Sequence, residues 1–425
     1  MERKNKIEHG FETYKANLSE LIKIRSVLSD DALPFGEGIN QALDKVLEIS
    51  ESLGFNTFKD PEGYYGYAEI GSGDLFAVLC HIDVVDEGNL EDWDSDPYLL
   101  SERNGKLYGR GTSDDKGPTL AAMFGLRWLL DEGFTLSKKV RFIFGTDEEN
   151  LWRCLDAYKA KEALPVMGFA PDADFPLVNV EKGMVQLMLR GDSSNIEGGD
   201  SYNAVASHAT VQLVKPLGDT LGYRYKLEDD ILTVYGKSAH ASTPEEGENA
   251  IYYLSKILKE MGVSKDIENF VVDLYEGDVM SQFVDSVSGH LTFNVGKAID
   301  GGVSLDIRYP VSYTEKDILK GVHSISDPHH LSVQRISGLH HLYIPEDSPL
   351  VLALMESYKA VTHDLGAKPL KMGGATYARA MDNIVAFGPQ FPDDVMSAHQ
   401  ANEFIDIENT KKAIEVYMHA FEKLV

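Results

Sequence analysis

The stretch Leu75-Phe-Ala-Val-Leu-Cys-His81-Ile-Asp83 decides the fold that the sequence predicts. Its first six residues are apolar and have the length of a buried strand, and a histidine and an aspartate follow almost directly. Two later runs of strand length also lead to acidic residues: 139–145 to Glu148 and Glu149, and 166–170 to Asp172. Polar side chains that repeatedly follow predicted strands indicate a site at one edge of a sheet.

Helical patterns alternate with these strands. Apolar residues recur at helical spacing over the segments 11–25, 39–53, 117–131 and 151–162. The pair Asn104-Gly105 predicts a hairpin, because Asn-Gly accepts the positive φ of a tight turn. The alternation predicts an α/β fold: a mostly parallel sheet flanked by helices, with its ligand crevice at the carboxyl ends of the strands.

The sequence pattern changes in the middle of the chain, where Gly-rich connections separate predicted strands with alternating polar and apolar residues. Its predicted elements are two strands and a helix, at 231–235, 291–295 and 249–261. The first pattern then resumes with a helix over 349–365 and a strand over 384–387. We therefore expect one domain in two segments, over 1–183 and 346–425, and an inserted α+β domain over 184–345.

The composition excludes several classes of protein. The chain has 40 Lys and Arg against 68 Asp and Glu, a net charge of −28 with neutral histidines. This charge repels phosphate backbones and anionic lipids, so we expect neither nucleic acid nor a membrane as a partner. The sequence shows no signal peptide and no apolar run near the roughly 20 residues of a membrane span, so we expect a cytoplasmic protein. Cys80 and Cys154 are interpreted as small buried hydrophobes or as one disulfide.

The residues that follow the strands have the chemistry of metal ligands. Together with His399 they supply two imidazoles and several carboxylates, a set without thiolate that suits zinc, manganese or cobalt. Each piece also has a simpler interpretation. His81 and Asp83 could be a hydrogen-bonded pair, 109–117 a tight loop, and Glu148-Glu149 a solvated helix start. The order of the pieces, and their position outside the insert, favour a metal site.

Six phrases of sequence span nearly the whole chain: Tyr108-Gly-Arg-Gly-Thr-Ser-Asp-Asp-Lys-Gly-Pro118, Gly145-Thr-Asp-Glu-Glu149, Ala170-Pro-Asp-Ala-Asp-Phe-Pro176, Gly236-Lys-Ser-Ala-His-Ala-Ser-Thr-Pro244, Leu305-Asp-Ile-Arg-Tyr-Pro310 and Gly373-Gly-Ala-Thr-Tyr-Ala-Arg379. Together with His81 and His399, in this order, they resemble the co-catalytic di-metal peptidases that include aminoacylase, carboxypeptidase G, succinyl-diaminopimelate desuccinylase and carnosinase. Within that group they are most similar to the bacterial dipeptidase V type.

The resemblance implies a phosphorylase/hydrolase-like catalytic domain over 1–183 and 346–425, with the insert 184–345 as its lid. It also implies two divalent metal ions, with zinc expected first and manganese or cobalt as alternatives. Asp114 would bridge the two ions. His81 and Asp172 would complete one metal site. Glu149 and His399 would complete the other.

The resemblance also implies the reaction, which is hydrolysis of the peptide bond of small dipeptides with free amino and carboxyl ends. Glu148 would be the general base that takes a proton from a water bridging the metals, and the resulting hydroxide would attack the carbonyl. Asp83 would hydrogen-bond the imidazole of His81 and fix its orientation. The peptide bond between Asp114 and Asp115 would be cis.

Substrate contacts are implied for the insert and for a later glycine-rich phrase. His240 would stabilise the oxyanion, with Asn203 as its companion. Arg308 would bind the free carboxylate of a dipeptide with its forked guanidinium. Taken alone, His240 is interpreted as a capped loop histidine and Arg308 as a member of a surface ion pair. Backbone groups would assist around three further residues, Gly373, Gly374 and Thr376.

Two other functions compete with the dipeptidase. An N-acyl amino acid amidohydrolase shares the metal-site residues and differs in the pocket for the amine side of the substrate. A catalytically silent metal-binding protein is disfavoured because every expected ligand and Glu148 are present. In the dipeptidase V type, an enlarged lid supplies the oxyanion histidine within one chain. The length of the insert favours this arrangement. We therefore expect a monomer, with a homodimer as the alternative.

Overall fold

The structure of the protein is a computed structural model that describes residues 2–191, 194–213 and 222–425. The chain divides into two compact units. The first comprises the residues up to Asn179 together with Ile344–Leu370 and Thr376–Val425. The second comprises Val180–Tyr343 and Lys371–Ala375. The expected insert, 184–345, differs from the second unit by a few residues at each end and did not include the short segment 371–375.

The chain begins with helices and strands of the first unit, and the last strand continues into the second. In chain order they are α1 (Glu2–Ile22), α2 (Glu37–Ser52), β1 (Asn56–Lys59), β2 (Tyr65–Ile70), β3 (Leu75–His81), β4 (Ser101–Arg103), β5 (Lys106–Tyr108), α3 (Lys116–Asp131), β6 (Lys139–Gly145), α4 (Arg153–Lys161), β7 (Met167–Ala170), β8 (Ala173–Asp174) and β9 (Val178–Glu181).

The following elements belong to the second unit. They are β10 (Gly183–Arg190), β11 (Glu197–Gly198), β12 (His208–Gln212), β13 (Arg224–Glu228), β14 (Ile231–Tyr235), α5 (Ala250–Glu260), α6 (Asp266–Glu276), β15 (Val284–Asp285), β16 (Gly289–His290), β17 (Thr292–Ile299), β18 (Gly302–Tyr309), α7 (Glu315–Ser326), β19 (Ser332–Leu339) and β20 (Leu342–Tyr343).

The chain then returns to the first unit, apart from the segment Lys371–Ala375. The last elements are α8 (Pro349–Thr362), β21 (Leu370–Met372), β22 (Ile384–Ala386), β23 (Pro389–Gln390), β24 (Phe404–Asp406) and α9 (Ile407–Leu424).

The central sheet of the first unit contains the strands β1-β2-β6-β3-β7-β22 in this order. The pairs β6-β3, β3-β7 and β7-β22 are parallel, whereas β1-β2 and β2-β6 are antiparallel. Every residue of β3 is buried, as expected for a strand that is covered on both faces. The predicted α/β fold with a parallel centre is therefore confirmed.

Helices cover both faces of this sheet. Phe421 of α9 packs against Phe142 of β6, with ring centroids 6.2 Å apart. Tyr158 of α4 packs edge-on against Tyr65 of β2 at 5.2 Å. Tyr65 lies opposite Gly145 in the β2-β6 register, so Tyr65 and Phe142 point to opposite faces because side chains alternate along a strand. α9 and α4 therefore form two outer layers.

Several helix boundaries differ from the prediction by a few residues, and the starts of α1 and α4 differ for clear physical reasons. α1 begins at Glu2 rather than at residue 11, and the buried Ile7 extends its apolar stripe by one turn. α4 begins at Arg153 rather than at residue 151, because Trp152 has a left-handed conformation with φ 57°. The hairpin at Asn104-Gly105 is confirmed, with φ values of 52° and 75°.

The second unit is built on an antiparallel sheet in the order β13-β14-β12-β11-β17-β18-β10-β19. The helices α5, α6 and α7 contribute buried residues such as Ile251, Phe270 and Val322 to one core with the strands. Separate helices on an antiparallel sheet are an α+β architecture, as expected for the insert.

Both cysteines are buried free thiols, so the disulfide interpretation is wrong. Among the helices of the described residues, none has both the length and the apolar character that crossing a bilayer requires.

Candidate metal centre

The carboxyl ends of β6, β3 and β7 bring the expected metal ligands into one region of the first unit. His81 is the last residue of β3, Glu149 lies in the turn after β6, and Asp172 follows β7. Asp114 lies in the loop that leads into α3, and His399 in the loop before β24. Because neighbouring parallel strands end at the same edge of a sheet, residues that are far apart in sequence meet there.

Asp114 lies between two histidines. Its Oδ1 is 2.9 Å from His81 Nε2, and its Oδ2 is 2.9 Å from His399 Nε2. Asp172 Oδ2 lies 3.7 Å from His81 Nε2, and Glu149 Oε2 lies 3.1 Å from His399 Nε2. These atoms form two groups that share Asp114, and within each group the atoms lie within 4.8 Å of one another.

The donor atoms of these groups fit divalent cations. His81 Nε2 is buried and makes no hydrogen bond within the described part of the chain, although Asp114 Oδ1 is close to it. Burial and the Asp114 carboxylate raise the pKa of Asp172 to about 6, which reflects crowded negative charge that a cation would relieve. Imidazole nitrogen with carboxylate oxygen suits zinc, manganese or cobalt. The five ligand roles remain predictions.

Asp83 orients residues of both groups. Its main-chain carbonyl accepts a hydrogen bond from His81 Nδ1 at 3.0 Å, which leaves Nε2 of the imidazole to face the carboxylates. The carboxylate of Asp83 is farther from the imidazole, with 3.6 Å between Nδ1 and Oδ1. That carboxylate instead accepts a hydrogen bond from the backbone N–H of Glu149 at 3.1 Å. The predicted hydrogen bond between Asp83 and the imidazole is therefore present, and it runs through the main-chain carbonyl of Asp83.

Asp115 supports His81 from the other side. Its Oδ2 accepts hydrogen bonds from the backbone N–H of His81 at 3.1 Å and from Thr119 Oγ1 at 2.9 Å. The peptide bond between Asp114 and Asp115 is cis, as the resemblance implied.

Glu403 shapes the loop that carries Asp114, and no sequence motif identified it. Its buried carboxylate accepts hydrogen bonds from the backbone N–H groups of Gly111 at 3.0 Å, of Ser113 at 2.8 Å and of Asp114 at 3.2 Å. Arg110 Nη1 donates another at 2.7 Å. Burial and the charge of Asp114 raise the pKa of Glu403 to about 7. Glu403 thus fixes the backbone from which Asp114 reaches both histidines.

Lys116 connects the same loop to the end of α1. Its Nζ is buried and donates to the main-chain carbonyls of Leu21 at 3.1 Å and Ile24 at 2.8 Å. Burial lowers the pKa of this lysine to about 7. Lys116 belongs to the stretch Tyr108–Pro118, which is part of the resemblance, but the resemblance implied no role for this lysine.

The turn after β6 presents Glu148 and Glu149, and an ion pair between the buried Asp147 and the exposed Arg153 closes it. Asp147 accepts hydrogen bonds from Arg153 Nε and Nη2, both at 2.7 Å. Burial raises the pKa of the Glu148 carboxyl; His81 opposes this shift, and the Asp172 and Glu149 carboxylates add to it. A carboxyl with a raised pKa is suited to exchange protons near neutral pH.

Within the second unit, His240 and Asn203 lie close together. Ala241 N–H donates to the main-chain carbonyl of Asn203 at 2.9 Å. Ser242 N–H donates to His240 Nδ1 at 3.2 Å, an assignment that places the ring proton on Nε2. Burial and the guanidinium of Arg308 lower the pKa of His240. With Nδ1 as the acceptor, the neutral imidazole of His240 has its proton on Nε2 and can donate through it.

Arg308 belongs to a buried ion pair on β18. It is only 5% exposed, so its interpretation as a surface residue is wrong. Its Nε lies 2.7 Å from Asp306 Oδ1, and its Nη2 lies 3.1 Å from Asp306 Oδ2. Asp306 and Arg308 point to the same face of the strand because they are two residues apart.

The remaining residues that are expected to contact the substrate, Gly373, Gly374 and Thr376, lie close together in the sequence. A Cβ on Gly373 would lie 3.2 Å from the Cβ of Ser242, so this segment packs closely against the loop that holds His240. Gly374 belongs to the same segment of the second unit, whereas Thr376 is the first residue of the last segment of the first unit.

The sequence profile described as peptidase family M20/M25/M40 matches residues 77–423. The chain belongs to this family. Among its relatives is "Putative dipeptidase YtjP" of Bacillus subtilis (strain 168), which is 36% identical and aligns over 95% of this chain and 96% of its own.

Two solved structures share the fold of this M20/M25/M40 peptidase. Human carnosine dipeptidase 1 has a TM-score of 0.59 at 18% identity, and the comparison covers 99% of this chain and 98% of that one. The di-peptidase Dug1p of Saccharomyces cerevisiae has a TM-score of 0.62 at 16% identity, with the same coverage.

Membership of the family confirms the resemblance to the co-catalytic metallopeptidases. It also confirms that the chain is a hydrolytic, metal-dependent enzyme. The interpretation as a catalytically silent protein is therefore wrong.

Proposed function

We propose that this M20/M25/M40 peptidase is a dipeptidase that hydrolyses the peptide bond of small dipeptides with free amino and carboxyl ends. The observation that carries the proposal is the position of Asp114, whose two carboxylate oxygens each lie 2.9 Å from a different histidine. A carboxylate placed in this way can serve two cations at once. The name of the Bacillus subtilis relative supports dipeptides as the substrates.

The proposed cofactor is a pair of divalent ions, with zinc expected first and manganese or cobalt as alternatives. Asp114 would be shared, with His81 and Asp172 on one side and Glu149 and His399 on the other. When bound, such ions lower the pKa of a water molecule and polarise a carbonyl group.

Glu148 moves the proton in the proposed reaction. Its carboxylate takes one proton from the attacking water and later delivers it to the leaving nitrogen, so that a C–O bond forms, the C–N bond breaks and the proton count balances. Burial raises the pKa of this carboxyl, and a raised carboxyl pKa is typical of groups that exchange protons in catalysis.

The second unit supplies the proposed substrate contacts. Nε2–H of His240 would donate to the oxygen on which negative charge develops, with Asn203 beside it. Arg308 would bind the carboxyl end of the dipeptide. Its guanidinium has five N–H donors, more than the carboxylate of Asp306 uses, and the buried pair holds the fork in one orientation.

The test is a hydrolysis assay on metal-stripped protein that is re-supplied with zinc, manganese or cobalt. Each free dipeptide is paired with its N-acetylated form. We expect cleavage of the free dipeptides and little cleavage of the acetylated ones. A preference for the acetylated compounds would instead identify an N-acyl amino acid amidohydrolase, and no cleavage with any of the three metals would contradict both activities.

The matched control is Glu148→Ala, which leaves all five proposed ligands in place. It should bind the metals as the wild type does and lose about 10²–10⁴-fold in kcat, the usual contribution of a general acid-base group. Wild-type turnover in this variant would contradict the proposed role of Glu148 even if the dipeptides are substrates.

A further inference from the structure

Trp152 contacts the carboxylate of Glu148, and none of the sequence motifs gave it a role. Its indole Nε1–H donates a hydrogen bond to Glu148 Oε1 at 3.2 Å. The two residues are four positions apart and belong to the same turn after β6. Hydrogen bonds to charged groups are among the stronger ones in proteins, so this contact bears directly on the orientation of the proposed general base.

The indole is itself held in place. Trp152 has φ 57° and ψ 24°, and its backbone N–H donates to the main-chain carbonyl of Asp147 at 2.9 Å. Its ring packs edge-on against Tyr377, with centroids 5.6 Å apart and an interplanar angle of 70°. These contacts fix both the backbone and the ring of Trp152.

Tyr377 connects this ring to a proposed metal ligand. Its side chain is fully buried, its hydroxyl lies 3.3 Å from Cys154 Sγ, and its ring also packs edge-on against His81 at 6.0 Å. Gly145 leaves room for it, because a Cβ there would come within 2.0 Å of the Tyr377 hydroxyl. The buried ring of Tyr377 therefore contacts both the imidazole of His81 and the indole of Trp152.

The chemistry of indole suits a positioning role. An indole N–H only donates, so it can bind a carboxylate oxygen but cannot take the proton that Glu148 must carry. It remains a donor whether or not Glu148 is protonated. With Oε1 bound to the indole, Oε2 is left as the oxygen that receives and releases the proton.

We infer that Trp152 is a positioning residue that holds Glu148 by its Oε1 and turns Oε2 towards the reaction. The inference rests on the proposed function, since it assumes that Glu148 is the general base. It concerns orientation of the base, so Trp152 should affect kcat and leave substrate binding nearly unchanged.

The first experiment compares Trp152→Phe with the wild type on a free dipeptide, with the zinc-loaded full chain. Phenylalanine keeps an aromatic ring against Tyr377 and lacks the N–H. Loss of a hydrogen bond to a charged group predicts a kcat lower by about 10- to 100-fold, with KM changed less than about threefold. Trp128→Phe, in the buried face of α3, is the matched control and should retain wild-type kcat.

A rise in KM with unchanged kcat would overturn the inference, because Trp152 would then contact the substrate instead of the base. Equal kcat and KM in Trp152→Phe and wild type would also overturn it. If the wild type itself does not cleave dipeptides, the proposed function fails, and the contact is judged by the second experiment alone.

The second experiment detects the hydrogen bond between Trp152 and Glu148 without an activity measurement. The chain has three tryptophans, so protein with ¹⁵N-labelled tryptophan gives three indole N–H resonances, and Trp152→Phe identifies one of them. In zinc-loaded Glu148→Ala, the Trp152 resonance should move while those of Trp93 and Trp128 stay in place. An unmoved Trp152 resonance would show that its N–H does not donate to Glu148.

Discussion

Arg308 is a buried arginine whose orientation is set by a chain of side chains in the second unit. Its guanidinium pairs with both carboxylate oxygens of Asp306. Gln186 Nε2 donates to Asp306 Oδ2 at 2.8 Å, and Ser337 Oγ donates to Gln186 Oε1 at 2.8 Å. Because the guanidinium of Arg308 is already fixed before the substrate binds, its side chain loses little conformational freedom on binding.

The prediction for Arg308→Ala is a loss of recognition of the substrate carboxylate. A charge-assisted hydrogen bond is lost, so KM for a free dipeptide should rise by about 10- to 100-fold, with a smaller change in kcat. The measurement compares each dipeptide with its C-terminal amide. The wild type should prefer the free carboxylate, and the variant should treat both alike.

Arg308→Lys is the control for charge, because it keeps the positive charge and loses the planar fork. If Arg308→Ala lowers kcat/KM equally for the acid and amide substrates, the fold is damaged. The reason is that removal of the arginine leaves the carboxylate of Asp306 buried and short of hydrogen-bond donors. A preserved preference for the acid would contradict the proposed contact.

At the scale of elements, the loop between β5 and α3 shows how one carboxylate can replace regular secondary structure. The loop has no ladder partner of its own, and Glu403 accepts hydrogen bonds from three of its backbone N–H groups. Buried N–H groups need such partners. The position of Asp114 thus depends on a residue that lies one position before β24.

Glu403→Gln should therefore weaken both the loop and the metal centre. The amide removes the charge opposite Arg110 and directs an NH₂ group at backbone donors, which predicts a loss of about 2–4 kcal/mol in unfolding free energy. Metal affinity, measured by competition with a chelator, should fall with it. Glu102→Gln, at an exposed residue of β4, is the control and should change neither quantity. Wild-type metal affinity in Glu403→Gln would contradict the role of Glu403.

In the second unit, Asp285 organises the tight connection between β15 and β16. Its carboxylate accepts hydrogen bonds from the backbone N–H groups of Val287 at 2.9 Å and Ser312 at 3.0 Å, and from that of Ser288. Burial of Asp285 opposes ionisation, but the N–H groups of Ser288 and Ser312 outweigh it and lower the pKa of Asp285 to about 2.

The lowered pKa of Asp285 predicts a pH dependence of stability. A carboxyl with a lower pKa in the folded state stabilises the fold above its unfolded pKa, and this contribution disappears as the pH falls from about 4 to 2. The unfolding free energy of wild type should exceed that of Asp285→Asn at pH 6, and the difference should shrink across that window. Urea denaturation followed by circular dichroism measures it, and a pH-independent difference would contradict the prediction.

The elements were largely predictable because apolar periodicity determines them. β6 and β14 have the predicted bounds, 139–145 and 231–235. The supports of the site were not predictable, since their signal is not local. Glu403 acts on a loop almost three hundred residues earlier in the chain, and its sequence neighbours show no pattern. The left-handed Trp152 is likewise unexpected, because bulky residues rarely adopt positive φ.

At the scale of the whole molecule, the candidate metal centre draws on distant parts of the chain. The proposed ligands run from His81 to His399 and come from the ends of separate elements. Such a site does not exist in the unfolded chain, so metal binding adds to the free energy of folding. The close carboxylates of Asp114 and Asp172 repel each other until cations are bound.

Metal removal should therefore destabilise the protein. At a free zinc concentration of about 100 times the Kd, binding contributes about 2.7 kcal/mol per site, which corresponds to roughly 5–10 °C in the Tm of a unit of this size. Differential scanning calorimetry of chelator-treated protein, before and after zinc is added, measures the shift. His399→Ala, which removes a proposed ligand, should show a reduced shift. An equal Tm with and without zinc would contradict the proposed site.

The late position of His399 and Glu403 has a consequence for biosynthesis. A nascent polypeptide that has emerged as far as the insert already contains His81, Asp114, Glu149 and Asp172, but it still lacks the second imidazole and the carboxylate that shapes the Asp114 loop. With the proposed ligand set, hydrolytic competence would therefore arise only after the chain has been translated as far as Glu403. A product that terminates before His399 would be inert.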